Sequence, residues 1–213
     1  MASPLRSRWS KPVVFLLCLA PLALGVANGL RGELGANPID YITRATGDWT
    51  MRFLLITLSI TPFRRMFAQP DLIRFRRMLG LFSFFYGVLH LITWVWLDKF
   101  FDTQEMWADL VKRRFITMGM LGFALMVPLT VTSTKGWIRR MGGKNWQRLH
   151  RLIYISAAAG VIHYLWLVKS DIRMPLLYGT ILGVLLLLRP ITSRLGRSAP
   201  RPTQVAAGTR TDR

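Results

Sequence analysis

From Pro12 to Leu30 the chain carries no charged side chain. A spanning helix needs about 20 mainly apolar residues to cross a ~30 Å hydrocarbon core, so this run has the length of one crossing. Five more apolar stretches follow, at about 49–63, 75–97, 115–132, 149–168 and 172–188. Backbone polar groups in lipid must be satisfied within the chain, which leaves a helix as the form for each stretch. The expectation is an all-α integral membrane protein built as a six-helix bundle. The second and sixth stretches are short, so their edges are the least defined. Arg52 falls in the second, near enough to its end to snorkel toward the headgroups. With 52% hydrophobic and 18% charged residues, the composition excludes disorder for most of the chain.

The charge then sets orientation. The chain has 29 Lys plus Arg against 10 Asp plus Glu, a net charge of +19. Counting residues at the helix edges with the adjoining connection, twenty of the 29 fall before the first stretch, between the second and third, between the fourth and fifth, and after the sixth. Eight fall on the opposite side, and Arg52 is the remaining one. This asymmetry predicts both termini in the cytoplasm. It assigns the basic charge to topology rather than to nucleic acid, since no basic aromatic motif accompanies it. The first stretch has the basic start and apolar core of a signal peptide. Its length and the lack of a small-x-small site favour a retained helix. The domain reading is a cytoplasmic N-terminus over 1–11, a membrane domain over 12–189 and a disordered cytoplasmic tail over 190–213.

The histidines carry the chemistry. There are three, His90, His150 and His163, and each falls in or at the edge of an apolar stretch. Histidine inside a membrane is costly and marks function. His90 stands seven residues before Leu97, and His163 five residues before Val168. The two share a depth on different helices, toward the outer side. That arrangement suits a haem iron clamped between two imidazoles. Gly87 and Gly160 each precede a histidine by three, in GVLH and GVIH. Glycine there leaves room for a flat porphyrin, or simply packs helices together. On an ideal helix His150 lies 13 residues, about 19.5 Å, from His163, so the two cannot share one centre. His150 is left between a ligand (a second haem, a quinone, a flavin or lipid phosphate) and an interfacial imidazole among arginines.

Other chemistries are poorly supported. The lone cysteine, Cys18, excludes a disulfide framework and a Cys-based zinc or iron–sulfur site within one chain. The His150 offset excludes a single three-histidine zinc site, and no Ser–His–Asp arrangement is visible. Asp98 and Asp102 read as solvated or paired with Lys99, Lys112 or Arg114. Trp94, Trp96, Trp107 and Trp166 form an outer aromatic belt, with Trp9, Trp137 and Trp146 on the inner side. Trp94 and Tyr164 also border the expected haem.

Three long strings carry a resemblance: NPIDYITRATGDWTMRFLLITLSITPFRR (37–65), RFRRMLGLFSFFYGVLHLITWVWLD (74–98) and NWQRLHRLIYISAAAGVIHYLWLVK (145–169). They resemble the MsrQ (YedZ) family, within the ferric reductase-like membrane domains shared with NADPH oxidases. The similarity covers about residues 10 to 190. It implies a haem b protein of the bacterial inner membrane that passes electrons from the quinone pool to a periplasmic molybdopterin methionine sulfoxide reductase, MsrP. It implies FMN as well, without placing it on any residue. His90, His150 and His163 stand at the family's histidine positions. His90 and His163 then become axial ligands of the outer haem iron, and His150 a ligand of a possible second haem. The larger oxidases have a second histidine in the third span and an FAD/NADPH domain; neither is seen here. Loops 1–2 and 3–4, with Trp107 and the Lys112–Arg114 run, become candidate docking surface for MsrP, and Arg114 or Lys169 candidate propionate partners. Two other classes are a stand-alone ferric or oxygen reductase and a non-redox membrane scaffold.

Overall fold

The computed structural model describes residues 6–195, and the described residues contain helices and connections but no strand. The long helices are α1 (Ser10–Leu30), α2 (Pro38–Met66), α3 (Ile73–Ile92), α5 (Arg114–Val131), α8 (Leu152–Leu167) and α9 (Arg173–Leu195). Shorter helices are α4 (Thr103–Lys112), α6 (Lys135–Met141) and α7 (Gly143–Leu149). A 3₁₀ turn, Pro70–Leu72, leads into α3, and a π-helical turn, Thr93–Asp98, follows it.

Among the described residues, four stretches are long and apolar enough to cross a membrane: Ser10–Leu30, Pro70–Asp98, Arg114–Val131 and Arg173–Thr192. The chain is therefore a multi-pass membrane protein. The other two expected spans differ from the sequence reading. α2 begins at Pro38, well before Trp49, because Asn37 caps it and Pro38 occupies its first turn. The added turns carry Asp40, Arg44 and Asp48. The fifth stretch is not one helix from Leu149. It breaks at His150–Arg151, leaving α7 below and a 16-residue α8 above. α9 continues through Leu195, so residues 190–195 are helical. The rest of the expected disordered tail, and the first five residues of the N-terminal segment, lie outside the described residues.

α2 sits at the centre of the packing. One apolar cluster joins Met51, Leu54, Leu55 and Leu58 of α2 to Met126, Ala157, Tyr178 and Leu182 on α5, α8 and α9. A second joins Phe53 and Ile60 of α2 to Phe75, Leu79, Phe82 and Tyr86 of α3 and Cys18 of α1. Hydroxyls bridge the helix pairs. Ser83 Oγ donates to Thr50 O at 2.9 Å, and Ser156 Oγ donates to Gly122 O at 2.8 Å. Small residues permit such close approach where apolar surface gains nothing by leaving lipid. A Cβ on Gly122 would lie 3.4 Å from Ser156 O.

α1 is joined through a defect in its own ladder. Pro21 lies inside the helix and contributes no backbone N–H to its ladder. The buried Tyr86 hydroxyl bridges two backbone groups beside it, donating to Cys18 O at 2.9 Å and accepting from Leu22 N at 3.2 Å. At the other end of the chain's first turn, Arg6 pairs with Asp71 at 3.1 Å, which ties the N-terminal segment to the α2–α3 connection.

Candidate functional site

His90 and His163 meet. Their ring centroids are 6.1 Å apart and the rings are nearly perpendicular, at 81°. Each ring is fixed from behind by the first turns of another helix. His90 Nδ1 lies 2.9 Å from Thr43 O of α2, and His163 Nδ1 lies 2.6 Å from Phe115 O of α5. A carbonyl oxygen only accepts, so both Nδ1 atoms carry the proton. Both Nε2 atoms are then left as the lone-pair nitrogens, the tautomer a metal requires. These three contacts also place the starts of α2 and α5 and the ends of α3 and α8 at one end of the bundle.

The geometry fits one iron between the rings. A ligating nitrogen sits about 2 Å from its metal and about 1 Å from its ring centroid, so opposed imidazoles on one iron have centroids roughly 6 Å apart. Trp94, one turn beyond His90, is a second sign. Its Nε1 is buried with no hydrogen-bond partner among the described residues. A buried unpaired donor costs stability unless something outside the chain accepts from it. Among the described residues no group of three or more His, Cys, Asp or Glu side chains could hold a metal ion, so the alternative of a multi-ligand protein cage has no support.

The glycines that serve these rings are not those beside them in sequence. A Cβ on Gly87 would meet Phe123 at 3.5 Å and Thr50 at 3.6 Å, and one on Gly160 would meet Met51 Sδ at 2.7 Å. Both pack helices together rather than clear space at a histidine. Gly47 and Gly119 do the latter. A Cβ on Gly47 would lie 3.1 Å from His90 Cε1, and one on Gly119 only 2.7 Å from His163 Nδ1. Each sits one turn from the carbonyl that holds the ring, so the helix backbone presses against the imidazole. Sequence reasoning missed both, because TGD and MGM offer no signal that a distant histidine lands there.

His150 is arranged differently. It follows α7, stacked on Trp146 with centroids 3.9 Å apart. Its Nε2 lies 3.1 Å from Thr132 Oγ1, which donates its own proton to Pro128 O at 2.6 Å. The hydroxyl therefore accepts from Nε2–H, and the lone pair falls on Nδ1. Trp146 Nε1 donates to Thr132 O at 2.9 Å, completing a small polar post. Eleven residues separate Leu152 from His163, roughly 16 Å of helix. His150 thus stands at the opposite end of α8 from His163.

Charged side chains ring the start of α2. Arg44 pairs with Asp40 at 2.8 Å. Arg52 does not simply snorkel. It lies 4.7 Å over the Trp49 ring, donates to Tyr178 Oη at 3.1 Å and sits 3.8 Å from Asp48. Together these residues line an open cleft of about 490 Å³ with Leu34, Asn37 and Tyr41. Asp48, which the sequence reading left outside every span, adjoins Gly47. Asp102 caps α4 by accepting from Gln104 N and Glu105 N, while Asp98 pairs with Lys99.

The sequence model of the ferric reductase like transmembrane component family matches residues 46–161, a segment that includes His90 and His150 and ends two residues before His163. A protein of Herminiimonas arsenicoxydans is 51% identical over 189 residues, covering 88% of this chain and 87% of the relative. One of Caulobacter vibrioides is 50% identical over 190 residues, covering 89% and 90%. One of Rhodospirillum rubrum is 48% identical over 199 residues, covering 93% and 96%. All three relatives are named protein-methionine-sulfoxide reductase heme-binding subunit MsrQ.

The chain belongs to the MsrQ family. The three relatives each match 88% to 93% of this chain. The family match rests on sequence similarity and the histidine pair on geometry; the matched segment contains His90 and ends two residues before His163.

Proposed function

We propose that this chain is the haem b-carrying membrane subunit of a methionine sulfoxide reductase system. In this proposal it takes electrons from the quinone pool and delivers them to a periplasmic molybdopterin partner, MsrP. The bundle crosses the bacterial inner membrane six times with both termini inside, α2 and the 16-residue α8 joining the four other spans. The cation asymmetry supports that topology, as does the Arg6–Asp71 pair between two segments assigned to the inner side.

The observation that carries the proposal is the histidine pair, with both Nδ1 protons held by backbone carbonyls and both Nε2 lone pairs free. Bound between them, a haem supplies reversible one-electron storage. His90 and His163 would hold the iron, and the Thr43 and Phe115 carbonyls would raise the basicity of those imidazoles. Trp94 Nε1 supplies a free donor at the same depth. Arg114 and Lys169 are proposed for the propionates on charge alone. FMN is carried from the family resemblance and is assigned no residues. His150 is proposed to serve the inner end, where electrons enter. It stands with Thr132 and Trp146 and would become a second haem ligand only through Nδ1 or after exchanging its hydrogen bond.

The test is a dithionite-reduced minus oxidised spectrum of the purified protein, with a pyridine haemochrome count per chain. A b-type signal is expected. It should disappear in His90→Ala and in His163→Ala, and persist in His150→Ala. Full haem retention in both single mutants would overturn the pairing. No haem after haem-sufficient expression would overturn the electron-carrier role.

A further inference from the structure

α4 buries a carboxylate and exposes large apolar side chains. Asp109 is buried against Lys99, 2.8 Å from Nζ, and the half-exposed Glu105 closes over the same ammonium at 2.6 Å. Lys99 is only 5% exposed. Trp107 and Val111, one turn apart on the opposite face, are 68% and 67% exposed. A surface helix of a soluble protein places these groups the other way round.

The apolar face does not end with α4. Ile92, Trp96 and Phe100 follow one another at four-residue spacing and are all exposed. The first two belong to the apolar stretch Pro70–Asp98, whose outward side chains face lipid. Phe100 N bonds Trp96 O at 3.2 Å, so the row is structurally continuous. Phe100 and Phe101 then adopt positive φ, 47° and 64°, a conformation rare for bulky side chains. The pair turns the chain from the α3 direction into α4 while leaving both rings outside. The Lys99 cluster locks the turn from within. Exposed Lys112 ends the helix at a position where a long cationic side chain can reach phosphates.

We propose that α4 is an interfacial helix. Its Trp107–Val111 face, with Phe100 and Phe101, lies in the headgroup–acyl boundary of the bilayer at the end of the bundle that holds the histidine pair. The occupant of this face is phospholipid. Continuity with the lipid-facing row of α3 selects it, together with the tryptophan and terminal lysine that such helices carry. A docking surface for a soluble partner at this end would then lie on the α1–α2 connection and the start of α2 rather than on Trp107.

The test uses the full chain in vesicles of phosphatidylethanolamine and phosphatidylglycerol. On a Cys18→Ala background, nitroxide labels go onto Trp107→Cys and Val111→Cys, with Ala36→Cys in the α1–α2 connection as the aqueous control. Collision with oxygen should exceed collision with a water-soluble nickel chelate several-fold at 107 and 111, and the order should invert at 36. Hydroxyl-radical footprinting of the unsubstituted protein gives an independent readout: Trp107 should oxidise more slowly than Tyr41. Nickel-favoured collision at 107 and 111, or fast oxidation of Trp107, would overturn the proposal. If those positions become shielded only when a soluble catalytic subunit is added, the face is a protein interface instead.

Discussion

Substituting Gly119 tests whether α5 positions the His163 ring. An alanine Cβ would lie 2.7 Å from Nδ1, 3.0 Å from Cε1 and 3.3 Å from Cγ of His163. Ordinary contact begins near 3.4 Å, so the ring must retreat by about 0.7 Å. It cannot do so and keep the 2.6 Å contact of Nδ1 with Phe115 O. Losing that hydrogen bond costs about 1 kcal/mol and an off-rotamer ring about 0.5–1.5 kcal/mol, which together weaken haem retention roughly ten- to seventyfold. The helix itself gains from the change, because alanine is the better helix former. Haem loss should therefore appear without loss of helicity. The assay is haem transfer from the detergent-solubilised protein to excess apomyoglobin, followed in the Soret band, with circular dichroism as the fold control. Gly47→Ala should act in the same direction but less, since its nearest contact would be 3.1 Å. Gly87→Ala should be close to wild type, because its contacts would be 3.5 Å or longer. A Gly119→Ala protein that holds haem as tightly as wild type, or less weakly than Gly47→Ala, would refute this account of the ring.

Other outcomes follow from the packing. Tyr86→Phe leaves Cys18 O and Leu22 N without their bridge inside the bundle, at a cost of about 1–3 kcal/mol; a lowered Tm and faster proteolysis of the α1 segment should report it. Ser156→Ala removes one interhelical bond and should cost only about 0.6 kcal/mol in denaturant unfolding, the average for such bonds in a membrane protein. The hydrogen bonds of Lys99 to Asp109 and Glu105 hold its ammonium above the usual lysine value of 10.5. A raised pKa stabilises the folded form fully below the unfolded value and ceases to do so as pH rises through the folded one. Docking of α4 should therefore be flat from pH 7 to 9 and loosen only at strongly alkaline pH, read from nitroxide mobility at Thr103→Cys. Lys99→Met should loosen α4 already at pH 7 and flatten the profile.

The apolar runs and the depth of His90 and His163 are local properties of the chain, and they were legible for a physical reason. Lipid forces each long uncharged run into a helix, and the rise of a helix converts residue number into depth. Equal depth is what allowed the two imidazoles to meet. Extents were less legible. Asn37–Pro38 starts α2 well before its apolar segment, because a cap stabilises a helix whatever its hydropathy. The interruption at His150 depends on Trp146 and Thr132 gripping the ring, and Thr132 belongs to another part of the chain.

What the sequence determined by itself was the membrane class, the helical architecture and which histidines could pair. Tertiary structure alone decided how those histidines are held. Their partners are the carbonyls of Thr43 and Phe115, and every residue has a carbonyl, so no residue type announces them. The same holds for Gly47 and Gly119, whose role exists only because another helix presses a ring against them. The buried carboxylate of α4, Asp109, follows this rule too. It pairs with one buried lysine at the end of a π-turn, and a pattern of charges along a helix does not say which face its neighbour will take.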